Sequence, residues 1–295
     1  MIMAQPKALS VFIPDIENSI ERLMPQASNM QKNIFEACRY SILAGGKRLR
    51  PTLCLFFYHL FGGQAPGAVD FAAAIEMIHS YSLIHDDLPC MDDSDLRRGK
   101  PSCHKVYGYS TAVLAGDALL NRAFEVMTSS LEGIDPASQL RAAGVMSYES
   151  GAYGMVGGQV IDLAIEGHDC TEAQLWTMVD LKTAALISGA CKSGALLAGA
   201  SEKDAQAAYE YGRNIGLAFQ IRDDMLDAQG ENALLGKPTG EDEKNGKNTF
   251  VSKYGMAKCE ELIKELTDKA ISAVKDLDRA EDLGEIAFWL SGRSY

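Results

Sequence analysis

The chain has 295 residues, 47% of them hydrophobic, which is long enough and apolar enough for one large core. Its net charge of −12 at pH 7 sets the surface as a whole against nucleic acid and anionic membrane, so an anionic ligand would need a local basic patch or bridging metal ions. The seven cysteines form no CxxC pair or zinc spacing and read as free thiols of a reducing cytosol, and MIMAQPKALSVF has no signal-peptide pattern.

The first feature in chain order is GGKRLRP, residues 45–51. It sets Lys47, Arg48 and Arg50 in a Gly-rich stretch ahead of a helix, where a phosphate could be cradled, although many solvent-facing loops look the same. FAAAIEMIHSYSLIHDD, residues 71–87, places Phe71, Ile75, Met77, Ile78 and Leu83 near a helical period and delivers Asp86 and Asp87 at the helix end. Pro89 then breaks or bends the helix. Asp92 lies six residues past Asp86, about 240° around an ideal helix, so a turn must bring Asp92 and Asp93 back. Carboxylates at a helix C-terminus oppose the dipole and call for a cation. Arg97 and Arg98 follow, and a guanidinium grips phosphate oxygens with a bidentate fork. Metal-binding carboxylates followed by paired arginines suit a metal-bound diphosphate.

Long helical patterns continue over 110–131, 175–200 and 203–228, rich in Ala and Gly. Breaks fall at Gly45–Gly46, Gly62–Gly63, Gly99–Pro101, Ile134–Pro136 and Gly167–Thr171. Within FQIRDDMLDAQG, residues 219–230, Asp223 and Asp227 are four apart and share a helix face, with Asp224 about 100° round. Such an oxygen-rich group suits a hard cation such as Mg²⁺. Most acidic runs are solvated faces, but Phe219, Ile221, Met225 and Leu226 beside this one look like core. The longest loop candidate, 230–248, carries Lys237, Lys244 and Lys247 and reads as a functional lid or as disorder. The pattern predicts one all-α domain over residues 1–295, with roughly ten or more helices and no segment fit to span a bilayer.

GGKRLRP (45–51), DDLPCMDDSDLRRG (86–99), GGQVIDL (157–163), LKTAALI (181–187), FQIRDDMLD (219–227) and GKPTGEDEKNGKNTF (236–250) together resemble the trans-polyprenyl diphosphate synthases, above all their bacterial short-chain, farnesyl-forming members. The motifs fall in the family's order and span nearly the whole chain, and the set is far more specific than any one of them. The resemblance implies an isoprenoid-synthase-type helical bundle around a deep central cavity, and a cytoplasmic homodimer. It implies joining isopentenyl diphosphate to dimethylallyl and then geranyl diphosphate, with release of diphosphate. By motif position Asp86, Asp87, Asp92, Asp223, Asp224 and Asp227 would hold several Mg²⁺ ions, three with diphosphate bound, and these would grip the allylic diphosphate. Arg97, Lys182, Lys237 and Lys247 would contact the same group; Lys47, Arg50, His79 and Arg98 would hold isopentenyl diphosphate; Thr183 and Gln220 would sit beside the allylic cation. Ionisation of the allylic C–O bond puts charge on the departing diphosphate, and cations placed there in advance stabilise that charge most in the transition state. The carbocation must be kept from water, so the rest of the cavity should be apolar.

Several residues carry a plainer reading as well. Without the resemblance His79 would be a satisfied core histidine, and His85 reads as structural in any case. Gln159 and Asp162 are three apart on a helix and could support the metal sites or form a helix–helix hydrogen bond. Trp176 and Trp289 carry no readable signal. Tyr81 lies five positions before Asp86, with Ser82 one turn below the same carboxylate, so a growing tail must pass both. A bulky Tyr81 would be a floor that stops growth early, and the resemblance to bacterial enzymes with an aromatic at this position implies a fifteen-carbon product, whereas members making twenty carbons tend to lack it. A geranylgeranyl diphosphate synthase is thus the main alternative. A class I terpene cyclase would not need the second set of cations at Lys47, Arg50 and Arg98, and a non-catalytic prenyltransferase subunit would not need both Asp clusters. A plain divalent-metal-binding helical protein leaves the arginines and lysines unexplained.

Overall fold

The computed structural model of the chain describes residues 5–26, 30–229 and 248–292. Helices α1 (Lys7–Ser10), α2 (Ile13–Leu23), α3 (Lys32–Ile42) and α4 (Leu49–Leu60) lead to α5 (Gly67–Asp86). Residues 71–78 of α5 are all buried, so the helix has core on every side. It packs against α2, α4 and α7 (Tyr109–Thr128). Between α5 and α7 lie β1 (Leu96–Arg97) and β2 (Lys100–Pro101), a two-stranded antiparallel hairpin, and the short α6 (Cys103–Tyr107). Arg98 and Gly99 form the two-residue turn with φ of 54° and 74°, the left-handed pair that matches strand twist.

Helix α8 (Pro136–Ser150) starts where the sequence breaks: the Asp135 carboxylate accepts the Ser138 N–H at 2.8 Å and Pro136 fills the first turn. After α9 (Met155–Ile165), α10 (Glu172–Val179) opens with a Thr171–Gln174 capping box. The sequence predicts one α-helix over 175–200. Instead residues Asp180–Ala184 wind as a π-helix before α11 (Ala185–Leu197) resumes. A π turn accommodates one extra residue and leaves no trace in a 3.6-residue pattern read over a short window. Helix α12 (Glu202–Ala228) follows, then α13 (Phe250–Tyr254), α14 (Met256–Val274) and α15 (Ala280–Ser291).

The apolar side chains gather into two clusters. The larger holds Phe57, Phe71, Ile75, Leu186 and Tyr211, and the smaller Leu175, Val179, Ile221, Met225 and Phe250. Helix α12 runs through both, so one long rod links the two cores. Among the described residues no helix is long and apolar enough to cross a membrane. The loop candidate at 230–248, with Lys237, Lys244 and Lys247, lies outside the described residues except for Asn248.

Arg48 corrects one expectation. It was a candidate for cradling phosphate beside Lys47 and Arg50, yet it is only 1% exposed. Its backbone is left-handed (φ 48°), which turns the side chain inward. There Nε donates to Glu17 Oε1 at 2.6 Å, Nη1 to Glu76 Oε1 at 2.8 Å and Nη2 to the Ile42 carbonyl at 2.8 Å. Arg48 is a strut between α2, α3 and α5.

Candidate active site

Asp86 is the last residue of α5 and Asp87 its C-cap. The chain then turns tightly, and the Asp92 N–H donates back to the Asp86 carbonyl at 2.9 Å. Asp93, left-handed at φ 45°, donates to the Leu88 carbonyl at 3.1 Å. The return of Asp92 that the Pro89 break demanded is thus built into the main chain. Burial, with Asp92 and Asp87 close by, holds the Asp86 carboxyl above its ordinary pKa, although Lys182 and Arg97 pull it down.

Asp87 behaves differently from Asp86. It is 2% exposed and takes the Arg97 guanidinium, with Arg97 Nε at 3.0 Å from Oδ1 and 3.2 Å from Oδ2 and a third contact from Nη2. The hairpin makes this possible, since β1 carries Arg97 back over the end of α5. The next residue goes elsewhere: Arg98 donates to the Gly45 carbonyl and stands 3.9 Å from Glu76. The hairpin therefore sends one guanidinium to the Asp cluster and the other to the GGKRLRP loop. Half-buried His79 is held well below its usual pKa by burial and by the guanidiniums of Arg50, Arg98, Arg97 and Arg48, so it is a neutral imidazole in a cationic pocket. Lys47 is exposed on the same loop and Arg50 is half-buried in the first turn of α4.

The middle of the site is the π segment. Lys182 donates to Asp162 of α9, and Thr183 Oγ1 donates to Gln220 Oε1 of α12 at 2.9 Å. Helix α9 comes this close because of Gly158: a Cβ there would lie 2.2 Å from the Lys182 backbone nitrogen. Asp162 thus acts as the partner of Lys182. Gln220 Nε2 in turn donates to Asp224 Oδ1 at 2.9 Å, and Asp224 Oδ2 accepts the Phe250 N–H at 2.9 Å. Asp224 is 7% exposed and caps the first turn of α13, whereas Asp223 and Asp227 are half-buried on a neighbouring face of α12.

Among the described residues, no group of three or more His, Cys, Asp or Glu side chains is drawn together to hold a metal ion. Asp87 and Asp224, two of the six carboxylates expected as ligands, are buried and bonded to Arg97 and to Gln220 and the Phe250 N–H respectively. Both are second in their Asp–Asp pair, where the helical geometry directs them into the protein. Asp86, Asp92, Asp223 and Asp227 are half-buried, and carboxylate oxygens are the donors a hard cation takes. Lys237 and Lys247 lie outside the described residues.

Below Asp86, Tyr81 is 5% exposed and packs edge-on against His85, ring centroids 5.8 Å apart. Its hydroxyl has no hydrogen-bond partner, and burial together with the Asp86 carboxylate pushes its pKa up to about 12. Ser82 turns its hydroxyl to the His79 carbonyl at 2.9 Å, and His85 Nε2 bonds the Val113 carbonyl at 3.0 Å. Glu76 is a site neighbour that sequence reasoning missed. A lone acid in the apolar run FAAAIEMIHSY was its available signal. Trp176, silent in the sequence, donates to the Tyr254 hydroxyl at 3.0 Å and stacks edge-on against Phe250.

The helical bundle thus carries aspartates at the C-terminal ends of α5 and α12, with Lys182 in electrostatic reach of Asp86. The polyprenyl synthetase family model matches residues 31–286, and the chain belongs to that family. It is 42% identical over 248 residues to the farnesyl diphosphate synthase of Bacillus subtilis, covering 83% of this chain and 84% of that protein. It is 39% identical over 277 residues to the chloroplastic geranylgeranyl pyrophosphate synthase of Capsicum annuum, covering 93% and 75%. The crystal structure of a Helicobacter pylori geranyltransferase complexed with magnesium and isoprenyl diphosphate superposes with a TM-score of 0.82 at 27% identity, covering 98% of each chain. The chain is a prenyltransferase, a short-chain trans-prenyl diphosphate synthase of the farnesyl or geranylgeranyl type.

Proposed function

We propose that the chain, as one polyprenyl synthetase domain, condenses isopentenyl diphosphate with dimethylallyl and then geranyl diphosphate to give farnesyl diphosphate. The observation that carries the fifteen-carbon product is Tyr81, buried just below Asp86 and close enough to feel its charge. A tail growing from the carboxylates down α5 meets an aromatic ring there. The geranylgeranyl product is the second reading, favoured by the pepper relative. Purified protein given Mg²⁺, isopentenyl diphosphate and each allylic primer should yield farnesol after dephosphorylation. Geranylgeraniol would replace the floor argument with the second reading, and a cyclised hydrocarbon would remove the synthase reading. Tyr81→Ala should shift the main product to twenty carbons or more, and an unchanged distribution would take Tyr81 out of chain-length control.

In this reading Asp86, Asp87, Asp92, Asp223, Asp224 and Asp227 would hold magnesium, with Asp87 also bonded to Arg97 and Asp224 to Gln220 and the Phe250 N–H. Bound magnesium supplies charge neutralisation of the allylic diphosphate as it leaves. Lys182, whose charge reaches Asp86, would offer its ammonium to the same group, while Arg97 is held by Asp87. Lys237 and Lys247 join from outside the described residues. Lys47, Arg50 and Arg98 bind the diphosphate of isopentenyl diphosphate, and neutral His79 adds a ring N–H without spending a charge. The Thr183–Gln220 pair, joined by the Thr183 hydroxyl donating to the Gln220 amide oxygen, would sit beside the allylic cation and stabilise its developing positive charge. Inorganic diphosphate at about a hundred times its Kd, with Mg²⁺, should stabilise the fold by about 2.7 kcal/mol. No rise in thermal midpoint over Mg²⁺ alone would mean that the carboxylates and cations do not share one ligand.

The protein is read as a cytoplasmic homodimer. Leu140 and Tyr148 on α8, Tyr153 beyond it, stacked on Tyr148, and Val156 and Val160 on α9 are large apolar side chains left exposed, which supports pairing of two copies.

A further inference from the structure

The π-helical segment Asp180–Ala184 sends three side chains in three directions, and each is caught by another helix. Lys182 meets Asp162 on α9, and Thr183 meets Gln220 on α12. Asp180, on the outer side, takes a fork from Arg213 of α12: Nε to Oδ1 at 2.7 Å and Nη2 to Oδ2 at 2.7 Å. Arg213 and Gln220 are seven residues apart, two turns of α12 on one face, so the segment is pinned to the same rod at both ends. The inner link touches the reaction centre, while the outer one carries no residue placed at substrate.

We propose that the Asp180–Arg213 pair is a positioning device for catalysis, holding the π turn in the register that presents Lys182 and Thr183. This rests on the roles given to those two residues above. A π turn is rare because the ordinary i→i+4 ladder competes with it, so it persists only where its surroundings over-determine it. A bidentate guanidinium–carboxylate fork fixes orientation as well as distance, which a single contact does not. Arg213 is 46% exposed and Asp180 26%, so solvent screens the pair in part and its contribution to global stability is modest. Its loss should therefore be felt at Lys182 far more than in the melting of the protein.

Arg213→Ala, Arg213→Lys and the charge-swapped double variant Asp180→Arg with Arg213→Asp test this. Steady-state kinetics for both substrates, the thermal midpoint and amide exchange over residues 180–187 are measured for each. Arg213→Ala should lower kcat about ten- to a hundredfold, as a small misplacement of a reacting group does. KM for either substrate should stay within about twofold and the midpoint within about 2 °C, because neither residue of the pair is placed at substrate and solvent screens it in part. Exchange over 180–187 should quicken, and the lysine variant should restore only part of kcat because it lacks the fork. The swapped pair should recover kcat and protection together. Unchanged kcat and exchange in Arg213→Ala would overturn the proposal, as would a fall in kcat that tracks the melting midpoint. If the wild type formed no prenyl diphosphate, the roles of Lys182 and Thr183 would fall, and the exchange comparison would still decide whether Arg213 holds the π turn.

Discussion

Replacing Lys182 by alanine should lower kcat for prenyl transfer about 10²- to 10³-fold, the scale on which a single preorganised charge donor counts. The ammonium is fixed before substrate arrives: Asp162 holds it from α9, and its field already reaches Asp86. A charge set in place in advance needs no reorganisation when the diphosphate departs, so its removal weakens the transition state more than the ground state. KM for the allylic substrate should rise less than kcat falls. Lys182→Arg should restore little, because a planar fork does not reproduce a compact ammonium at the same point. Single-turnover rates on geranyl diphosphate, with folding checked by far-UV circular dichroism, decide the matter. A rate for Lys182→Ala within about twofold of wild type would place the ammonium away from the leaving group, since a donor in the site counts for far more.

Arg48→Ala should be the most damaging single change to the fold, at about 3–5 kcal/mol. The guanidinium bridges Glu17 and Glu76, and Glu76 is 2% exposed. Alanine leaves that carboxylate buried with Arg98 at 3.9 Å as its remaining cation, and strips the Ile42 carbonyl of a donor. A buried charge deprived of its partner costs much more than the intact pair contributes. For a chain of this size the thermal midpoint should fall by about 10 °C. Glu17→Gln should cost less, since that side chain is 37% exposed and can draw on water. A midpoint for Arg48→Ala within about 2 °C of wild type would show that the bridge contributes nothing net.

The parts of this site that were legible in sequence are those encoded by local rules. Pro89 and the six-residue spacing required a turn, and the main chain makes it with the Asp92 N–H on the Asp86 carbonyl. The positions of α5, α7 and α12 followed from their apolar periods. What could not be read depends on where side chains go after the backbone is set. Arg48 sits between Lys47 and Arg50 and looks equivalent to them, but one left-handed φ sends it to the core. Asp87 and Asp224 each follow an aspartate and look like its twin, yet one serves a hairpin arginine ten residues on and the other a helix start 26 residues on. The π turn is invisible because its five residues, DLKTA, include no Gly or Pro to mark a break in the helical pattern.

That turn also marks a boundary. Before it, Leu175, Met178 and Val179 of α10 point into the smaller cluster. After it, Leu186, Ile187 and Ala190 of α11 point into the larger one. One inserted residue shifts the phase of everything downstream by about 100°, since an ideal α-helix turns by that much per residue. The two halves of what is nearly one rod can therefore face two different cores at once. Lys182 and Thr183 stand at the phase boundary, where neither core alone dictates their orientation. A substitution in either core would therefore change the packing on one side of the segment that carries Lys182 and leave the other side as it was.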